Sequence, residues 1–192
     1  MSADRRRAHV LRAATTAFAR TGYAGTSTEV VASQAGVSQP YVVRIFGSKL
    51  DLFLAVFESV TRTVRDRFAE VVDAAPFDPS SEDDWRRLSE SYLNLLGDRD
   101  ALLVMMHGFL ASDVPEIGAQ ARRTMGDVYE VVLRTGCTEE RARDFVAHGM
   151  LLNVLVAIGA TEPGQGAALK SLLQCAFGEG IDLVRDGRAT SS

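Results

Sequence analysis

Four residues on one short predicted helix, Gln39, Pro40, Tyr41 and Arg44, offer the clearest chemistry in this sequence. A glutamine amide pairs bidentately with adenine, and an arginine reaches guanine or a backbone phosphate. Pro40 and the neighbouring Val43 suit thymine methyl groups, and a tyrosine hydroxyl donates to a phosphate or a base. Thr26, Ser27, Ser38 and Lys49 are expected at or beside helix N-termini, where hydroxyl and ammonium groups meet phosphate oxygens. Ser27, Ser38 and Ser48 also have the chemistry of helix caps.

These residues need two short helices crossing at a tight turn. The spacing predicts a helix over Thr28 to Ala35 and a second over Gln39 to Phe46. Ala32 is small enough for a close crossing, and Gly36 supplies the positive φ that the turn requires. Val42, Ile45 and Phe46 form the expected buried face of the second helix, with Val31, Ala35 and Val37 locking the rest. Pro40 falls in the first turn, where a missing N–H costs little. Opposite the buried face lie Pro40 and Arg44, flanked by Tyr41 and Val43. This is the pattern of a helix-turn-helix whose second helix enters the major groove N-terminus first.

Net charge is −4 over 192 residues, but it is unevenly placed. Residues 1–50 hold seven basic and two acidic residues, a net of +5, which leaves −9 for the remaining 142. Such asymmetry fits one face built for a polyanion and a remainder that resists non-specific adhesion.

The rest of the chain repeats the helical period without any strand-like alternation. A first helix is expected from about Asp4 to Thr21, stopped by Gly22, and a long one from Lys49 to about Asp73. Ala75 to Ser81 reads as a loop. Further helices are expected at about Glu82 to Leu96, around Leu102 to Leu110, from Pro115 to about Arg134, from about 139 to 160, and from about 165 to 186. That makes an all-α chain of about nine helices, with residues 1–48 as one domain, 49–192 as a second, and a frayed tail at Gly187 to Ser192. Cys137 and Cys175 form neither a disulfide framework nor a zinc pattern, which points to a reducing cytoplasmic setting. The basic N-terminus lacks the apolar stretch of a secretory signal, and the apolar run Phe145 to Ala160 is too short to span a bilayer. No metal spacing, phosphate loop or nucleophile motif is present, so no cofactor is expected and an all-helical enzyme is the remotest reading.

The stretch Arg7 through Phe57 resembles the N-terminal domain of TetR-family transcriptional regulators. The resemblance lies in Ala17-Phe18, Gly22-Tyr23, Thr26-Ser27, Val31-Ala32, Ala35-Gly36-Val37-Ser38, Arg44-Ile45-Phe46 and Ser48-Lys49. It implies a first helix packed over the helix-turn-helix, a fourth helix leading to a ligand-binding domain, and a homodimer built from the last two helices. The expected function is a repressor released from a palindromic operator by a small effector. In the family a tyrosine often stands directly before the Arg44 position. Val43 stands there in this sequence, and Tyr41 is expected to take over its phosphate contact.

A dimer places two recognition helices about 34–36 Å apart, one turn of DNA. The helices at about 139–160 and 165–186 are its expected surfaces, with Ala147, Gly149, Ala157, Ala176 and Gly180 permitting close packing. Trp85, Tyr92, Met105, Met106, Phe109, Met125 and Tyr129 are candidates for an effector site, and His107 and Asn153 for polar contacts within it. The uninterrupted apolar stripes suggest a neutral, lipophilic effector. Control by a protein partner instead of a small molecule is the alternative.

Overall fold

Glycines and prolines at the expected places divide the chain into helices. A computed structural model describes residues 3–184, apart from the Glu179 side chain. Among the described residues there are nine α-helices and no strand. They are α1 (Ala3–Gly25), α2 (Thr28–Ala35), α3 (Gln39–Phe46), α4 (Lys49–Ala74), α5 (Glu82–Leu95), α6 (Arg99–Leu110), α7 (Pro115–Leu133), α8 (Glu139–Ala157) and α9 (Ala167–Phe177). A short 3-10 turn, Gly178–Gly180, follows α9. The tail expected at Gly187 to Ser192 and the last residues of the helix expected to reach 186 lie outside the described residues.

The contacts divide the chain into two compact units. The first runs to Arg62 and also takes Asp100–Arg123; the second takes Thr63–Arg99 and the residues from Thr124 on. The first unit therefore contains α6 and the start of α7 in addition to the helix-turn-helix.

In the first unit, α1 buries Val10, Ala14, Ala17 and Phe18 in a core shared with Val31, Ala32, Ala35, Val42, Leu52, Phe53, Val56 and Phe57. The Phe18 ring meets Phe53 edge-on at 5.0 Å, Phe53 lies 6.1 Å from Phe57, and Phe57 meets Phe109 of α6 at 6.0 Å. Gly22 interrupts α1 as expected: at φ 68°, ψ −174° it kinks the backbone, though the helix resumes to Gly25. The His107 ring occupies the space beside it, and a Cβ on Gly22 would lie 2.9 Å from that ring. His107 Nε2 lies 3.2 Å from the Ala19 carbonyl oxygen. Gln120 Nε2 donates to the Leu54 carbonyl and to Glu58, tying α7 to α4.

The second unit is built around rings. Phe77, Trp85, Phe145, Phe68 and Tyr92 form a chain of neighbouring contacts, each pair 5.2 to 5.6 Å apart. Trp85 Nε1 donates to the Pro79 carbonyl at 3.0 Å, so the expected loop at 75–81 is tied to α5. The Tyr92 hydroxyl donates to Asn153 Oδ1, which settles both buried polar groups. Burial pushes the Tyr92 phenol well above its ordinary pKa, against a smaller opposing effect of the Asn153 hydrogen bond.

Two helix ends differ from expectation. α8 stops at Ala157 rather than Ala160, because Gly159 adopts φ 71°. It is also not covered on every side. Leu152, Asn153, Leu155 and Val156 are buried, whereas Leu151, Val154 (43% exposed) and Ile158 (65%) form an open apolar face. The last expected helix is interrupted at Gly178, which takes φ 53° and ends α9 at Phe177; after the 3-10 turn, helical backbone resumes at residues 181–184. No helix of the described residues is long and apolar enough to cross a membrane.

Candidate nucleic-acid interface

The helix-turn-helix follows its local signals closely. Ser27 is extended, and its hydroxyl accepts from the Val30 N–H at 3.3 Å to start α2. Gly36, at φ 63° and ψ 34°, ends it. The Val37 N–H then returns to the Ala32 carbonyl at 3.0 Å and the Gly36 N–H to Ser33 at 3.2 Å, the pair of bonds of a left-handed glycine cap. Ser38 is extended at the start of α3, but its side chain makes no capping bond, contrary to the capping role expected of it. Its carbonyl instead receives the Tyr41 and Val42 N–H groups.

α3 buries Val42 completely, while Ile45 and Phe46 are only half-buried. Phe46 ends near the start of α1, where the Arg7 guanidinium lies 4.8 Å over its ring. Pro40, Val43 (37% exposed) and Arg44 face outward as the helical period requires. Tyr41 and Gln39 are half-buried and already engaged. The Arg44 guanidinium lies 5.1 Å over the Tyr41 ring, and Gln39 Nε2 donates to Thr28 Oγ1 at 3.2 Å. An outward base contact by the Gln39 amide would require release from Thr28.

Two expected phosphate ligands have inward roles. Thr26 is buried; its hydroxyl donates to the Gly22 carbonyl at 2.8 Å and lies 2.7 Å from the Thr21 hydroxyl. A hydroxyl committed to closing the α1 kink has no proton to offer a phosphate. Lys49 donates to the Tyr23 carbonyl at 3.0 Å and sits 4.5 Å over the Tyr23 ring. It pins the end of α1 to the start of α4. Both stand at helix N-termini, but the α1 kink carries the Gly22 and Tyr23 carbonyls to them, a contact that local spacing does not reveal.

Several contributors were missed. Thr28 holds Gln39, and His9 Nε2 lies 3.0 Å from the Ala35 carbonyl oxygen, bringing α1 to the helix-turn-helix turn. Arg6, His9, Val37, Ser38 and Tyr41 line a shallow groove of about 270 Å³. The i, i+3 spacing of Arg6 and His9 was a readable signal that they share a helix face.

The start of α4 is a reciprocal cap. The Ser48 hydroxyl accepts from the Asp51 N–H at 3.1 Å, while Asp51 Oδ2 accepts from the Ser48 N–H at 2.9 Å and from its hydroxyl at 2.7 Å. These bonds, the Ser48 hydroxyl first, hold the Asp51 carboxyl below its ordinary pKa. A depressed folded-state pKa means a stabilising contribution that is present above the unfolded value and lost as pH falls through the folded one. Asp51→Asn is therefore expected to lower the thermal midpoint near neutrality. The gap to the unaltered chain should close as pH falls below the usual aspartate range, in melts followed by circular dichroism. A gap independent of pH would exclude the carboxylate as its source. At α2, the Ser27 hydroxyl and the Glu29 backbone N–H likewise hold the Glu29 carboxyl low.

The candidate effector residues fall in both units. Met105, Met106 and Phe109 belong to the first unit, where Met105 is buried and Phe109 packs on Phe57. Trp85 and Tyr92 are core rings of the second unit. Met125 and Tyr129 line an open groove of about 560 Å³ in that unit, with Val146, Ala147 and Met150 from α8 and Glu139, Glu140 and Arg143 at its edge. His107 and Asn153 have the internal partners described above.

Comparison with known proteins agrees with this geometry. Residues 10–56 match the model for bacterial regulatory proteins of the tetR family. Over 55 residues the chain is 42% identical to the HTH-type transcriptional activator FasR of Mycolicibacterium smegmatis; the match takes in 29% of this chain and only 25% of that relative's length. A TetR-like transcriptional regulator from Rhodococcus sp. RHA1 has a similar structure, with TM-score 0.64 and 22% identity over 98% of both chains. The TetR-family regulator PfmR from Thermus thermophilus gives TM-score 0.61 and 18% identity over 92% of this chain and 97% of that one. At these identities the two structures speak to the fold alone. Residues 10–56, which hold the helix-turn-helix, are thus similar to the tetR family of bacterial regulatory proteins, and the fold over nearly the whole chain is like that of the two solved structures.

Proposed function

We propose that this chain is a cytoplasmic transcriptional regulator that binds a palindromic operator as a homodimer, with α3 as the recognition helix. The observation that carries this reading is the outward row Pro40, Val43 and Arg44 on a helix locked from behind by Val42. Gln39 and Tyr41 complete the base-facing set, and Ser27 and Ser38 contribute hydroxyls to phosphates. Residues 1–48 carry the DNA contacts, and 49–192 carry sensing and dimerisation.

The open face of α8 at Leu151, Val154 and Ile158, with Leu172 of α9, supports a second copy as the partner of this region. Exposed apolar groups of this size on one helix are costly to leave in water. The regulator acts as a repressor released by a small, largely apolar effector. Support for the effector comes from Met125, Tyr129, Val146, Ala147 and Met150 in one groove. The same open groove suits the alternative of a protein partner. Activation is the second reading of the output, favoured by the relative named as an activator.

Selection of duplexes from a random DNA pool, followed by sizing of the complex, tests the function. The expected product is a palindromic sequence carrying an even number of chains. Recovery of no preferred sequence at low salt would end the reading.

A further inference from the structure

The first turns of α1 remain outside the function described so far, yet they carry a run of three arginines, Arg5 to Arg7, with Asp4 as the sole acidic residue before Glu29. α1 is not free to wander from the recognition helix. His9 is bonded to the Ala35 carbonyl at the turn, and Arg7 lies over Phe46 at the far end of α3. Directly before Arg7, Arg6 shares a groove with Ser38 and Tyr41, at the N-terminal end of α3. That is the end a recognition helix presents to the major groove. Tyr41 thus has Arg44 over its ring and Arg6 in its groove. Val37 gives the groove an apolar part of its lining.

On this geometry we propose that Arg6 is a further DNA contact, gripping a backbone phosphate at the edge of the major groove that α3 enters. The contact rests on the DNA-reading function proposed above and adds α1 to it as a second, sequence-independent element. The charge matches the occupant: a guanidinium fork fits phosphate oxygens, and the patch is continuous with the proposed base-reading face. Tyr41 then serves as a wall that both arginines use, rather than as a lone phosphate ligand.

The test uses the full chain with two fluorescent duplexes, one selected from a random pool and one scrambled. Arg6→Gln is expected to weaken binding to both by the same factor, about three- to tenfold near 100 mM salt, and to reduce the slope of log affinity against log salt by about one. Arg6→Lys should restore most of the slope. Arg20→Gln, which removes an equal charge about 21 Å further along α1, should change neither. Unchanged affinity and slope in Arg6→Gln, or equal losses in Arg6→Gln and Arg20→Gln, would overturn the contact. So would a loss confined to the selected duplex, because that marks base reading. The thermal midpoint of Arg6→Gln should match that of the unaltered chain, and a large fall would assign Arg6 to the fold instead. Failure of the unaltered chain to bind either duplex is read from its own titration and sinks the DNA-reading function, with this contact.

Discussion

Arg44→Ala is expected to weaken binding to the selected operator by about 5- to 100-fold, on the scale of one lost base-edge contact of 1–3 kcal/mol. The fold should barely register the change. Arg44 is exposed, and its main internal contact is the stacking over Tyr41. Such a stack contributes about 0.5–1 kcal/mol at an exposed site. A positive charge in the last turn of α3 also favours the helix dipole by about 0.3–1 kcal/mol. A thermal melt and a DNA titration on the same preparation separate the two effects. A scrambled duplex sharpens the test, because a base contact is lost only from the specific site. Equal affinity in the variant would remove Arg44 from the reading face. A stability loss of several kcal/mol would make it a structural residue.

Gly108→Ala is the substitution expected to cost most in stability. A Cβ at Gly108 would lie 2.5 Å from one Phe57 ring carbon and 2.7 Å from two more. The ring cannot easily give way, since Phe53 and Phe109 hold it from other sides and Phe57 is fully buried. Overpacking of this kind costs about 1–3 kcal/mol. Replacing a glycine in the last turn of a helix, as at Gly108 of α6, by alanine returns at most about 1 kcal/mol through helix propensity. A net loss of about 1–2 kcal/mol follows, or a fall in Tm of roughly 2–8 °C for a chain of this size. Phe57→Leu in the same chain should recover part of the loss, so the double variant is less destabilised than the sum of the singles. A Gly108→Ala variant that melts above the unaltered chain would show that α6 and α4 have room to separate.

Much of the first unit was legible because its signals are local. Gly36 had to be glycine for a tight turn, and Thr28–Ala35 and Gln39–Phe46 take their predicted bounds. The same logic failed where a residue's partner is distant in sequence. Lys49 reads as a phosphate ligand alone until the Tyr23 carbonyl, 26 residues earlier, is placed beside it. Thr26 reads the same way until the α1 kink brings the Gly22 carbonyl to its hydroxyl. Trp85 and Tyr92 read as candidates for an effector site, and the structure buries both in the ring packing of the second unit. Ser38 shows the limit of residue type as evidence: it stands at a cap position and caps nothing.

The all-α class, the helix-turn-helix and the outward row of α3 follow from local sequence alone. Periodicity, capping chemistry and glycine φ act over a few residues and need no distant partner. Which internal partners the polar groups take depends on how the helices pack. Packing turned the Thr26 hydroxyl inward, gave Lys49 the Tyr23 carbonyl, held Gln39 on Thr28, and brought Arg6 and His9 against the turn. The physical reason is hydrogen-bond satisfaction: a buried or half-buried donor takes whatever acceptor packing brings near, and packing is not written in local sequence.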